Sequence, residues 1–115
     1  MPSLPPPPDI PEGLEHLLPM FIAEMAKDAA RLITLVGALP VAGGMDALVE
    51  LADHAHAMRG KAGMFGEGLL YDLLTEIEAS AQVNDVGALS PLVARVVERS
   101  GQLAVYGQEV SAGSA

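Results

Sequence analysis

Apolar residues recur along this chain in steps of three and four, the period of a helix with one buried face. The first run spans Pro11 to Leu39, with Leu14, Leu17, Leu18, Phe21, Ile22, Met25, Ala29, Leu32 and Val36 on one stripe. Asp9 is placed to cap it, and Pro11 and Glu12 suit its first turn. Pro19 lacks an amide hydrogen, so a short extra helix can split off near Leu18. Pro40 and Gly43-Gly44 close the segment. A second helix begins near Met45 or Asp46 and carries Leu48, Leu51, Ala55, Met58, Ala62 and Phe65 inward, with Gly66 and Gly68 marking its exit. A third starts at Leu69 with Leu70, Leu73, Leu74, Ile77 and Ala81 inward, and Asn84-Asp85 and Gly87 form the next turn. A fourth runs from about Ser90 to Tyr106 on Leu92, Val93, Val96, Val97 and Leu103, with Ser90 as cap and Pro91 in the first turn.

Four amphipathic helices joined by short connections predict an all-α fold, an antiparallel four-helix bundle, with room for a short extra N-terminal helix. The bundle is expected over residues 11–108. Residues 1–10, with four consecutive prolines, read as a flexible tail, and residues 109–115 as a frayed one.

Composition narrows the function. The 115 residues are one domain's worth. Hydrophobic residues make up 50% but aromatics only 3%, which suits helix-on-helix packing better than a sheet sandwich. With no cysteine, a disulfide scaffold, a thiolate metal site and a cysteine nucleophile are all excluded. A net charge of -9 argues against nucleic acid, whose phosphates need clustered Lys and Arg. The uncharged stretch from Leu32 to Met45 is interrupted by glycine and proline and falls short of the roughly 20 apolar residues of a membrane helix. The N-terminus lacks the basic start of a signal peptide, so a cytoplasmic domain without membrane contact is expected.

The chemistry concentrates between Asp53 and Gly66, DHAHAMRGKAGMFG. At about 100° per residue, Ala52, Asp53, Arg59, Gly60 and Gly63 fall within about 60° of His56, while the apolar seam points about 130° away. His56 therefore belongs on an exposed flank. Gly60 and Gly63 each cost about 1 kcal/mol relative to Ala inside a helix. Gly60, one turn past His56 on its face, leaves room for another molecule to reach the imidazole. Arg59 on the same face can meet a phosphate with paired donors.

The run His56-Ala57-Met58-Arg59-Gly60-Lys61-Ala62-Gly63-Met64-Phe65-Gly66 resembles the signature of histidine phosphotransfer (Hpt) domains, the four-helix phosphocarriers of bacterial two-component phosphorelays. The family pattern is a His, an apolar residue two later, Lys or Arg three later, Gly four later and commonly Gly ten later. His56, Met58, Arg59, Gly60 and Gly66 match it, and the helical plan agrees from about Leu14 to Tyr106. The resemblance implies that His56 is phosphorylated and exchanges its phosphoryl group with an aspartate of a response-regulator receiver domain. A hybrid sensor histidine kinase is implied upstream. It also implies that Arg59 neutralises the phosphoryl group and that Gly60 and Gly63 keep the approach clear. A polar residue on the next helix would orient the imidazole, Glu78 by spacing, with Gln82 one turn on. Arg59 replaces the commoner Lys, and Lys61 stands where a small polar residue is usual and points away from His56 on the wheel. No cofactor is expected on this chain, since Mg²⁺ belongs to the receiver, and no ATP site is expected. Such a bundle is expected to be a monomer.

Histidine suits the task. An imidazole with an ordinary pKa near 6.5 is roughly three-quarters neutral at pH 7. One nitrogen attacks, and the other keeps its proton and can be oriented by an acceptor. Other readings fare worse. His54 and His56 point about 160° apart and cannot chelate together, and the pairs Glu50/His54 and Asp53/His56 offer only two ligands each. His54 fits a packing or hydrogen-bonding role at the edge of the seam, and His16 a surface position. Gly60-Lys61-Ala62-Gly63 spells the GXXG of a nucleic-acid clamp, but no Lys or Arg lies between Ala62 and Ala94. The serious alternative is a helical interaction or scaffold module, or a degenerate phosphocarrier, that binds receivers without being phosphorylated.

Overall fold

The computed structural model describes residues 7–42 and 45–113. Gly43-Gly44 and the first part of the proline-rich tail lie outside the described residues. A short 3-10 turn, Glu15–Leu17, leads into α1 (Leu18–Ala42). There follow α2 (Met45–Met64), α3 (Gly68–Gln82) and α4 (Val86–Gly113). No strand occurs among the described residues. Each helix packs on two others, α1 on α2 and α4, and α3 on α2 and α4, which is a four-helix bundle.

The periodicity explains the core. Leu51, Ala55, Met58, Ala62 and Phe65 of the second seam are all buried, as are Leu70, Leu73, Leu74, Ile77 and Ala81 of the third. From α1, Phe21, Met25, Ala29 and Leu32 meet them, and from α4, Leu89, Val93, Val96 and Leu103. Val97, expected inward, is exposed instead. Phe21 stacks on Phe65, with ring centroids 4.4 Å apart, and closes one end of the bundle. No helix among the described residues is long and apolar enough to cross a membrane.

The helix ends show local chemistry at work. α2 stops where Gly66 takes φ +66, a left-handed conformation that glycine adopts without strain. Glu67 N–H then bonds the Ala62 carbonyl at 2.9 Å, and Gly66 N–H bonds that of Gly63 at 3.2 Å, satisfying the last carbonyls of the helix. Asn84 ends α3 the same way at φ 61, with Asp85 N–H on the Ser80 carbonyl at 2.8 Å. Gly68 is not part of the exit but the first residue of α3, capped by the Glu67 side chain, which accepts from Leu70 N–H.

Four boundaries differ from expectation. Residues 11–14 precede the helices, and α1 begins at Leu18, so Pro19 sits in its first turn, where a missing N–H costs nothing. Asp9 does not cap α1. Its N–H bonds the Gly66 carbonyl at 3.0 Å, and a Cβ on Gly66 would overlap the Asp9 carbonyl. α1 continues through Pro40 to Ala42. α4 starts at Val86 rather than Ser90, so Pro91 lies inside it, and it continues to Gly113, past the point where a frayed tail was expected.

Candidate functional site

α2 and α3 run antiparallel and share one exposed face. Along that face His56 meets Glu78, Arg59 meets both Glu78 and Tyr71, and Gly63 meets Tyr71. On α3 these partners stand at positions 71 and 78, two turns apart on one side of the helix, which is why they can address one side of α2.

The His56 side chain is 62% exposed. Its Nδ1 lies 3.1 Å from Glu78 Oε1 and 3.0 Å from Arg59 Nη2. Both ring contacts fall on Nδ1, so Nε2 is left without a hydrogen bond among the described residues. Glu78 is only 16% exposed, and Arg59 Nη1 stands 3.3 Å from its Oε2. That Oε2 is buried and accepts no hydrogen bond, so the guanidinium is its compensating charge. The Arg59 guanidinium also lies over the Tyr71 ring, 5.7 Å from its centroid.

The two glycines differ. A Cβ on Gly60 would meet nothing within 4 Å, so the surface beside His56 is open there. A Cβ on Gly63 would stand 3.4 Å from Tyr71 Cδ2 and 3.5 Å from Cε2. Gly63 thus faces the Tyr71 ring at van der Waals distance and is not part of an open approach. Arg59 is likewise turned inward, against Nδ1 and Glu78. Of the two polar candidates on α3, Glu78 touches the imidazole, and Gln82 lines an apolar groove further along. That groove, formed by Met45, Leu48, Val49, Ala52 and Ala81, begins one turn from His56 on α2 and one turn from Glu78 on α3.

The remaining motif residues face elsewhere. Lys61 bonds Asp28 on α1 at 3.1 Å and lies 3.7 Å from Glu24. The hydrogen bond to Asp28 raises its pKa above the ordinary 10.5, partly opposed by burial and helped by the charges of Asp28 and Glu24. His54 donates from Nε2 to the Asp28 carbonyl at 3.0 Å, and His16 is exposed on the 3-10 turn. No group of three potential metal ligands occurs among the described residues.

Two features escaped the sequence reading. One is Tyr71, whose contact with Gly63 and Arg59 depends on helix pairing. The other is a buried ion pair: Arg99 of α4 donates to Glu67 at the start of α3, with the Arg99 guanidinium 5.5 Å from the Tyr106 ring centroid. Arg99 stands three residues after Val96 and four before Leu103, in register with the buried seam, and that register was the available signal.

Comparison with curated proteins and with solved structures gives no match. The family model described as Hpt domain matches residues 16–106, most of the chain and all of the site just described. A four-helix bundle whose second helix carries His56, Arg59 and Gly60 on an open face is thus accounted for by descent as well as by geometry: the chain belongs to the Hpt domain family.

Proposed function

We propose that this Hpt domain carries a phosphoryl group on Nε2 of His56 and exchanges it with the aspartate of a response-regulator receiver domain in a phosphorelay. The observation that carries the reading is the asymmetry of the imidazole. Nδ1 faces Glu78 at 3.1 Å, and Nε2 has no partner among the described residues on a side chain that is 62% exposed. With its proton on Nδ1, donated to Glu78, the ring offers a lone pair on Nε2. That lone pair attacks the phosphorus of the receiver's aspartyl phosphate. The N–P bond forms as the P–O bond to aspartate breaks, and the carboxylate leaves with the electron pair. From this tautomer the attack itself moves no proton, because Nδ1 keeps its own. The reverse sequence returns the group to an aspartate.

The other residues take supporting roles. Arg59 is long enough to turn outward to the phosphoryl oxygens, where a guanidinium forms paired charge-assisted bonds. Gly60 leaves the incoming loop of the receiver unobstructed. The apolar groove from Met45 to Ala52 gives the receiver an apolar surface to cover beside the reacting atom. The receiver supplies the Mg²⁺, and a hybrid sensor histidine kinase supplies the phosphoryl group upstream, so the chain needs no ATP site. It acts as a monomeric cytoplasmic phosphoprotein.

The test is transfer from a labelled phospho-receiver, or from a hybrid kinase with ATP, to wild type and to His56→Gln. An acid-labile, alkali-stable label on wild type and none on His56→Gln is expected. Label that persists in the variant rejects His56, and no label from any receiver of a broad panel favours a binding module without phosphotransfer.

A further inference from the structure

Two hydrogen bonds converge on one atom of the site, and they exclude each other. A guanidinium only donates. Arg59 Nη2, 3.0 Å from His56 Nδ1, is therefore bonded only when Nδ1 carries a lone pair. A carboxylate only accepts, so Glu78 Oε1 at 3.1 Å is bonded only when Nδ1 carries the proton. In a neutral ring the first arrangement puts the proton on Nε2 and the second puts the lone pair there. Arg59 and Glu78 thus compete for the tautomer of His56, and only the tautomer favoured by Glu78 is nucleophilic at Nε2.

Arg59 is held in that competition from below. Its guanidinium lies 5.7 Å from the centroid of the Tyr71 ring. The ring packs against Gly63, its edge 3.4 Å from the position of a Cβ, so a methyl group would touch it and a branched side chain would displace it. We infer that Tyr71, seated against Gly63, is a positioning residue that holds Arg59 against Nδ1 and so keeps part of the His56 population in the unreactive Nε2–H tautomer. An arriving phosphoryl group draws the guanidinium outward. Nδ1 then takes up a proton from solvent and donates it to Glu78, while Nε2 releases its proton to solvent and gains the lone pair. The ring that steadies Arg59 therefore guards the imidazole while no phosphoryl group is present. The consequence for transfer rests on the phosphocarrier reading, but the tautomer itself does not.

The experiment reads the tautomer directly, by ring ¹⁵N chemical shifts of the full chain labelled at histidine. The pH is set where imidazoles are neutral, and the His56 signals are assigned with His56→Gln. A mixture with a sizeable Nε2–H fraction is expected in wild type. Tyr71→Leu is expected to lower the Nε2–H to Nδ1–H ratio about two- to five-fold, the weight of an exposed cation–π contact. Tyr71→Phe, which keeps the ring, should stay at the wild-type ratio. Gly63→Val, which takes the seat of the ring from the α2 side, should move the ratio the same way as Tyr71→Leu. Arg59→Gln should move it further, and Glu78→Leu in the opposite direction. An unchanged ratio in both Tyr71→Leu and Gly63→Val, or equal shifts in Tyr71→Phe and Tyr71→Leu, overturns the role of Tyr71. A ratio indifferent to Arg59→Gln overturns the competition. Failure of phosphoryl labelling would instead remove the phosphocarrier reading and leave these shifts in place.

Discussion

Glu78 of α3 places Oε1 3.1 Å from Nδ1 of His56 on α2, 22 residues earlier in the chain. The contact spans a helical hairpin, so it exists only if the Gly66 turn and the packing of α2 on α3 are right. It divides the imidazole into an inner nitrogen that the protein addresses and an outer one that it leaves alone. Removing the acceptor with Glu78→Leu should slow phosphoryl transfer roughly ten-fold, the low end of what losing a histidine's orienting partner costs at metal sites. Transfer rates from a phospho-receiver check this, and a wild-type rate in Glu78→Leu would contradict it.

Gly60 and bulk can be separated by two substitutions. Gly60→Ala adds a Cβ that meets nothing within 4 Å. It should stabilise the fold by about 1 kcal/mol in urea unfolding and leave transfer near wild type. Gly60→Arg should fold as well but impair transfer strongly, because its side chain stands over the approach to His56. Equal transfer rates for the two variants would remove the steric role of this position.

Arg59 acts on the inner nitrogen at rest and on the phosphoryl group during transfer. Arg59→Ala should slow transfer roughly ten-fold without abolishing it, as expected when one charge-assisted hydrogen bond is lost at the transition state. A rate equal to wild type would leave the guanidinium with no part in the chemistry.

The buried pair of Glu67 and Arg99 carries a stability prediction. Arg99→Met leaves a carboxylate buried without its cation and should cost about 3–5 kcal/mol in urea unfolding. Adding Glu67→Leu removes that orphaned charge and should recover part of the loss, though α3 then loses its cap. A single variant within 1 kcal/mol of wild type, on the order of a surface pair, would show that the pair is solvated in solution.

Lys61 supplies a pH signature. Its pKa in the fold is raised above 10.5, chiefly by the hydrogen bond to Asp28. A raised base contributes stability that is fully present below its unfolded pKa and is lost as pH rises through the folded value. The pair is partly exposed, so the contribution is small, on the order of 0.5 kcal/mol. Unfolding free energies measured from neutral to strongly alkaline pH should fall less steeply in Lys61→Met than in wild type above pH 10.5. Parallel curves would exclude the linkage.

How much of this was legible in the sequence follows from which forces decide each feature. The seam from Leu51 to Phe65 and the outward position of His56 obey helical period alone, so a wheel finds them. Lys61 pointing away from His56 follows from the same wheel. The ends of the helices were less legible. Pro91 reads as a first-turn residue, yet α4 begins at Val86 because Asn84 closes α3 and the chain turns directly into the next helix. Asp9 reads as a cap but is drawn to Gly66, a partner distant in sequence. Within the site, Arg59 and Gly60 came from the motif. That Gly63 faces Tyr71, and that Arg99 meets Glu67, depends on how neighbouring helices are offset, which a single helix pattern does not contain.

The nitrogen that bears phosphorus decides whether His56 carries the phosphoryl group through its outer face. Wild type with ¹⁵N-labelled histidine, phosphorylated by a phospho-receiver, should show by ³¹P–¹⁵N correlation one phosphorus bonded to Nε2 of His56, with the proton retained on Nδ1. Phosphorus on Nδ1, on His16 or His54, or on no histidine at all would contradict the account.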